Sequence, residues 1–183
     1  MRECNFKSIK IVNFDWEDKE GLAFLLVKLQ EIFRIPVTIG PQASLPHNAF
    51  NVLRKQYLAS SFLETLLLYK QDKEIVLGVT AQDIYEPNLN FVFGVATPIY
   101  AVALISTARL HNSFYGLPED RNLFLKRVIT EAVHEIGHTL GLKHCPNPHC
   151  VMHFSNTLAD TDAKGYNFCP QCWKKVEKAL CLT

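Results

Sequence analysis

The chain has 183 residues, a net charge of +1, 48% hydrophobic and 20% charged residues, a composition that excludes disordered and fibrous classes. Its length suits one domain, and a domain of about 150 residues buries roughly 68–70% of its unfolded surface. The near-zero net charge excludes the broad electrostatic footprint that dominates nucleic-acid affinity, so no nucleic-acid partner is expected.

The opening stretch MRECNFKSIKIVNF has strand-like alternation where a secretory signal would need an apolar core and a small-residue cleavage site. No apolar run reaches the ~18 residues of a membrane span. Residues 91–104 come nearest, and Gly94 and Pro98 punctuate them. An intracellular, cytoplasmic chain with no membrane partner is the expectation. In that setting the six cysteines serve as metal ligands or free thiols rather than disulfides.

Lys7 to Phe14 alternates as a half-buried strand. Residues 18–33 then carry Leu22, Leu25, Leu26, Leu29 and Phe33 at helical spacing, with Asp15 or Asp18 as the cap. Pro36 to Ile39 reads as a short strand, residues 40–51 with two prolines as a loop, Leu58 to Tyr69 as a helix and Glu74 to Gln82 as a β-branched strand. Asn90 to Val95 and Tyr100 to Thr107 read as two further strands. Strands alternating with helices imply an α/β fold with a largely parallel sheet and crossover helices. The last two strands are joined by a short turn, so one of them is antiparallel and lies on an edge.

The longest helix signal spans about Asp120 to Leu140. Leu125, Val128, Ile129, Ala132, Val133, Ile136 and Leu140 form one broad stripe, with Arg127, Thr130, Glu131, His134 and His138 on the opposite side. That side looks toward a cleft or solvent. His134, Glu135 and His138 spell H-E-x-x-H, in which two imidazoles one turn apart bind one zinc while the glutamate reaches a water on the metal. Gly141 and His144 extend it to H-E-x-x-H-x-x-G-x-x-H. A helix continuing past His138 would carry later side chains away from the metal, and Gly141 accepts the left-handed conformation that ends a helix. His144 then returns as the third ligand. Three neutral imidazoles leave the fourth tetrahedral position open, the mark of a catalytic zinc whose bound water has a pKa near ~7. Glu135 is the expected general base of a zinc-dependent peptidase.

The extended signature resembles that of the metzincin metallopeptidases. Cys145 directly after His144, followed by Cys150, Met152, Cys169 and Cys172, is similar to the archaemetzincins. The match covers residues 134–172. It implies that Met152 is the methionine of the turn beneath the zinc, although it follows His144 by only eight residues, fewer than in most metzincins. It further implies a twisted, mostly parallel five-stranded sheet whose antiparallel edge strand, residues 90–95, pairs with a peptide substrate. The whole chain, 1–183, is then one catalytic domain. Residues 1–143 carry the sheet and active-site helix, and 144–183 form a small zinc-stapled segment. The resemblance leans toward an aminopeptidase acting on short peptides. A non-catalytic peptide-binding protein on the same scaffold and a zinc-ribbon adaptor are the alternatives.

Cys145, Cys150, Cys169 and Cys172 have the spacing of a closed structural zinc site, which brings the expected cofactors to two zinc ions. A redox role for Cys169-Pro-Gln-Cys172 at the start of a helix is the rival, but it leaves the first cysteine pair without a role. His149 or His153 is an alternative ligand in place of one cysteine. Cys4 and Cys181 read as free thiols. Tyr166 and His153, in the segment after Met152, are the candidates for an oxyanion stabiliser. Lys164, Lys174, Lys175 and Lys178 read as a solvated basic face.

Overall fold

The computed structural model describes residues 4–182. Strand β1 (Ser8–Asn13) leads into helix α1 (Lys19–Phe33), followed by β2 (Val37–Ile39), β3 (Phe50–Asn51), β4 (Gln56–Leu58) and α2 (Ala59–Leu67). Then come β5 (Glu74–Thr80), β6 (Ile84–Tyr85), β7 (Gly94–Thr97), β8 (Val102–Ser106), α3 (Arg121–Thr139), α4 (Leu158–Lys164) and α5 (Pro170–Leu180). The main sheet has the order β2-β1-β5-β8-β7. Its first four strands are parallel, and β7 runs antiparallel to β8 on the edge.

Alternation along the strands separates two cores. Ile9, Ile11, Ile75, Leu77, Ala103 and Ile105 face Leu25, Leu29 and Phe33 of α1 and Val128, Ala132 and Ile136 of α3. Val12, Val76, Val102 and Leu104 face Phe62 and Leu66 of α2. Every residue of β5 and of β8 is buried. This is the condition that makes central parallel strands read as continuous apolar runs.

Asp18 caps α1, its carboxylate accepting from Gly21 N–H at 2.8 Å, while Asp15 accepts instead from Thr80, Ala81 and Gln82. Asp18 also pairs with Arg121 at the start of α3, tying the two helices together. That guanidinium holds the Asp18 carboxyl below the usual carboxylate range. Asp18→Ala is expected to cost about 0.5–2 kcal/mol for the cap, with at most about 1 kcal/mol more for a partly exposed ion pair. The carboxyl pKa is lower folded than unfolded. The contribution is therefore complete above about pH 4 and is lost as pH falls through the lower folded value. Urea melts at pH 7 and pH 3 check this: the gap between parent and variant narrows at the acid value.

Three expectations are corrected. The edge strand begins at Gly94 rather than at residue 90. Val92 instead bridges to Ile84, beside a second small sheet of order β3-β4-β6, because strands of two or three residues have no alternation to read. Cys4 and Cys181 are joined in a disulfide and are not free thiols. The start of β1 and the end of α5 meet in space, and a separation of 177 residues leaves no spacing signal. Lys164 is 5% exposed, whereas Lys174, Lys175 and Lys178 are exposed. Among the described residues no helix is long and apolar enough to cross a membrane.

Candidate active site and metal centres

Helix α3 supplies the floor of a cleft of about 510 Å³ whose lining includes residues 89–96, Glu131, His134, Glu135, His138, His144 and residues 154–156. Asp120 caps α3 by accepting from Leu123 N–H. The helix ends at Gly141, whose φ of +90° is left-handed, and His144 returns toward the cleft. The three imidazole rings lie 4.7–5.4 Å apart, centroid to centroid. Each offers a nitrogen within 4.8 Å of the other two.

The tautomers follow from the partners. His134 Nδ1 lies 2.7 Å from Val151 O and His138 Nδ1 lies 2.8 Å from Leu142 O. A carbonyl only accepts, so each Nδ1 carries the proton and each Nε2 keeps its lone pair. Those two Nε2 atoms face one another at 3.1 Å, an arrangement that a shared cation resolves. Burial depresses His134 to about 3 and also lowers His138 and His144. All three are therefore neutral, as metal ligands must be. The donor set fits a divalent metal.

Glu135 is 6% exposed and lines the same cleft. Burial, reinforced by Glu131, raises its pKa well above the usual value, and Lys164 opposes the rise. Above it stands β7. Phe93 O accepts from Ser106 N–H, and with the register of the pair this makes Val95 and Thr97 the residues bonded to β8. The backbone groups of Gly94 and Ala96 therefore face the open edge.

Two glycines hold this geometry; from sequence Gly94 was read only as a break in an apolar run, and Gly137 was not singled out. At Gly94 a Cβ would stand 2.7 Å from Leu104 O and 2.9 Å from Glu135 Cγ. At Gly137, one residue before His138, it would collide with the sulfur of Met152 and lie 3.1 Å from its Cε. The signal for the second was a glycine inside a helical pattern, which costs about 1 kcal/mol and so calls for a packing reason. Met152 is fully buried beneath α3. Gly137→Ala is expected to displace it and to cost about 1–3 kcal/mol, lowering activity as well. Thermal melts and kcat of the variant check both.

The four cysteines converge as well. Cys145, Cys150, Cys169 and Cys172 each offer a sulfur within 4.8 Å of the others, and none is in a disulfide. Burial pushes the Cys150 and Cys172 thiols up, while the Cys172 N–H draws Cys169 down to about 7. Four crowded sulfurs suit a cation that neutralises them. A redox pair would need only Cys169 and Cys172. Cys145 N–H donates to Met152 O, so this cluster braces the turn that carries His144. His153 is absent from the cluster: its Nδ1 lies 2.7 Å from Cys145 O. His149 is absent too. Neither His153 nor Tyr166 lines the cleft, so the expected oxyanion candidates are not there. Lys164 and Glu131 line it instead.

Neutral imidazoles turned on one point, a carboxylate beside them and an open strand edge above are the parts of a metal-dependent peptidase. Residues 19–178 match the model of Peptidase family M54. The archaemetzincin of Pyrococcus furiosus is 45% identical over 166 residues, 87% of this chain and 86% of that one. The crystal structure of archaemetzincin from Methanopyrus kandleri superposes with a TM-score of 0.82 at 36% identity, covering 97% of each chain. A zinc-dependent peptidase from Methanocorpusculum labreanum gives 0.84 at 31% identity, covering 92% of this chain and 99% of that one. The chain belongs to peptidase family M54 and is a zinc metallopeptidase.

Proposed function

We propose that this chain is an aminopeptidase acting on short peptides, with one zinc held by His134, His138 and His144 and a second, structural zinc held by Cys145, Cys150, Cys169 and Cys172. Residues 1–183 then work as one catalytic unit. The observation that carries this reading is the facing pair of Nε2 lone pairs, 3.1 Å apart, beside the Glu135 carboxylate. A zinc ion held there supplies Lewis acidity, polarising a carbonyl and lowering the pKa of a coordinated water to about 7.

The chain's own residues do the rest. The open edge of β7 at Gly94 and Ala96 aligns an extended peptide by main-chain hydrogen bonds. Val151 and Leu142 carbonyls hold the imidazoles in the tautomer that leaves Nε2 free. Glu135 takes the proton of the attacking water on its carboxylate and passes it to the leaving amine. No protein donor hydrogen-bonds that carboxylate among the described residues, which suits a group that exchanges a proton with substrate. A purely binding protein has no use for it.

Resemblance to the archaemetzincins carries the preference for free amino termini. Digestion of matched short peptides with free or acetylated amino termini tests it. Loss of cleavage on acetylation is expected, and equal cleavage of both overturns the aminopeptidase reading. Metal analysis is expected to give two zinc ions per chain.

A further inference from the structure

The cleft extends beyond Glu135. One helical turn earlier on α3, Glu131 lines it while only 3% exposed, and its Oε1 accepts from Thr161 Oγ1 at 3.0 Å. Opposite stands Lys164, the last residue of α4. It donates to His153 O at 2.7 Å and lies 3.3 Å from His134 Nδ1, whose proton already goes to Val151. The remaining ammonium N–H groups have no protein acceptor among the described residues. Ser155 lines the same cleft, and its buried Oγ has no hydrogen-bond partner.

Buried polar groups are almost always satisfied, and one that is not invites an unplaced ligand. Glu131, Lys164 and Ser155 together present an acceptor, a donor and a hydroxyl to one space. Their position follows from the chemistry above, on which this inference rests. Glu135 hands its proton to the leaving amine, so the residue after the scissile bond lies on the Glu135 side of the metal. Further along α3 on that side comes Glu131.

We propose that Glu131, Lys164 and Ser155 form a polar subsite for the side chain that follows the scissile bond, and that it selects a carboxamide, glutamine or asparagine. The amide NH2 donates to Glu131, and the amide oxygen accepts from Lys164 and Ser155. The opposite charges of Glu131 and Lys164 balance each other. An acidic side chain would face Glu131, a basic one would face Lys164, and each would leave net buried charge. An apolar side chain would fill the space without a hydrogen bond to any of the three groups, the situation in which polar sites discriminate most strongly.

Two measurements test this. Wild-type enzyme digests peptides Ala-Xaa-Ala-Ala in which Xaa is Gln, Met, Glu or Lys. Separately, calorimetry measures binding of the same peptides to zinc-loaded Glu135→Gln protein. Gln is expected to exceed Met by about tenfold or more in kcat/KM and in affinity, with Glu and Lys below it. Glu131→Gln shifts the preference toward Glu, and Lys164→Met shifts it toward Lys. If either variant fails to fold, the wild-type series alone decides. Cleavage with Met preferred, or with no preference, overturns the subsite and leaves the peptidase standing. No cleavage but tighter binding of the Gln peptide upholds the subsite and overturns the reading as a peptidase acting on these peptides. Neither cleavage nor discrimination in binding overturns the subsite.

Discussion

Glu135→Gln protein is expected to lose about 10²- to 10⁴-fold in kcat, the usual contribution of a positioned general base, while its zinc content stays unchanged. Glutamine has nearly the same volume and cannot take up the water proton. Glu135 makes no hydrogen bond that organises the fold, and the three imidazoles are oriented by backbone carbonyls of Val151 and Leu142 and by the turn at Gly141. Metal retention and catalysis are therefore expected to separate at this residue. Steady-state kinetics with zinc analysis of the same sample is the check. A variant as fast as the parent shows that another group moves the proton. A variant that is slow because it has lost zinc shows that Glu135 is structural.

Cys169→Ser or Cys172→Ser is expected to have the larger effect on stability. A structural zinc contributes an apparent ~10–16 kcal/mol at neutral pH in small zinc domains, and removing one thiolate from four forfeits much of it. Besides the cysteines, α5 is anchored mainly by Val176 and Leu180, and by the disulfide at Cys181. The damage should reach the catalytic centre, because Cys145 N–H holds Met152 O and Met152 supports Gly137 beneath the histidines. Loss of about one zinc per chain, a lower melting temperature and a weakened catalytic metal are expected together. Unchanged zinc content and melting behaviour would return Cys169 and Cys172 to the redox reading.

The convergence of the three histidines with Glu135, and of the four cysteines, was open to a reading of residues in order. His134, Glu135 and His138 sit on one helix at a spacing set by 3.6 residues per turn. Gly141 and His144 are close enough in sequence that one helix ending governs their return. The cysteine pairs are local as well, and the periodic stripe from Leu125 to Ile136 placed α3 within a residue or two of its bounds. In each case the signal repeats within a few residues, and local geometry carries it unchanged into the fold.

Where chain neighbours do not meet, the sequence offered nothing to read. Lys164 belongs by position to a basic run, and only the packing of α4 on α3 turns it into a buried charge beside His134. Glu131 and Arg127 lie on the polar face of α3, yet both are buried, Arg127 by a bidentate pair with Asp162. Cys4 finds Cys181 across almost the whole chain. Sequence by itself determined that His134, Glu135, His138 and His144 gather in one cleft, because helical spacing and the single helix ending beyond it are local properties. The tertiary structure alone decided which further charges face the substrate, because that depends on segments far apart in the chain excluding water from one another.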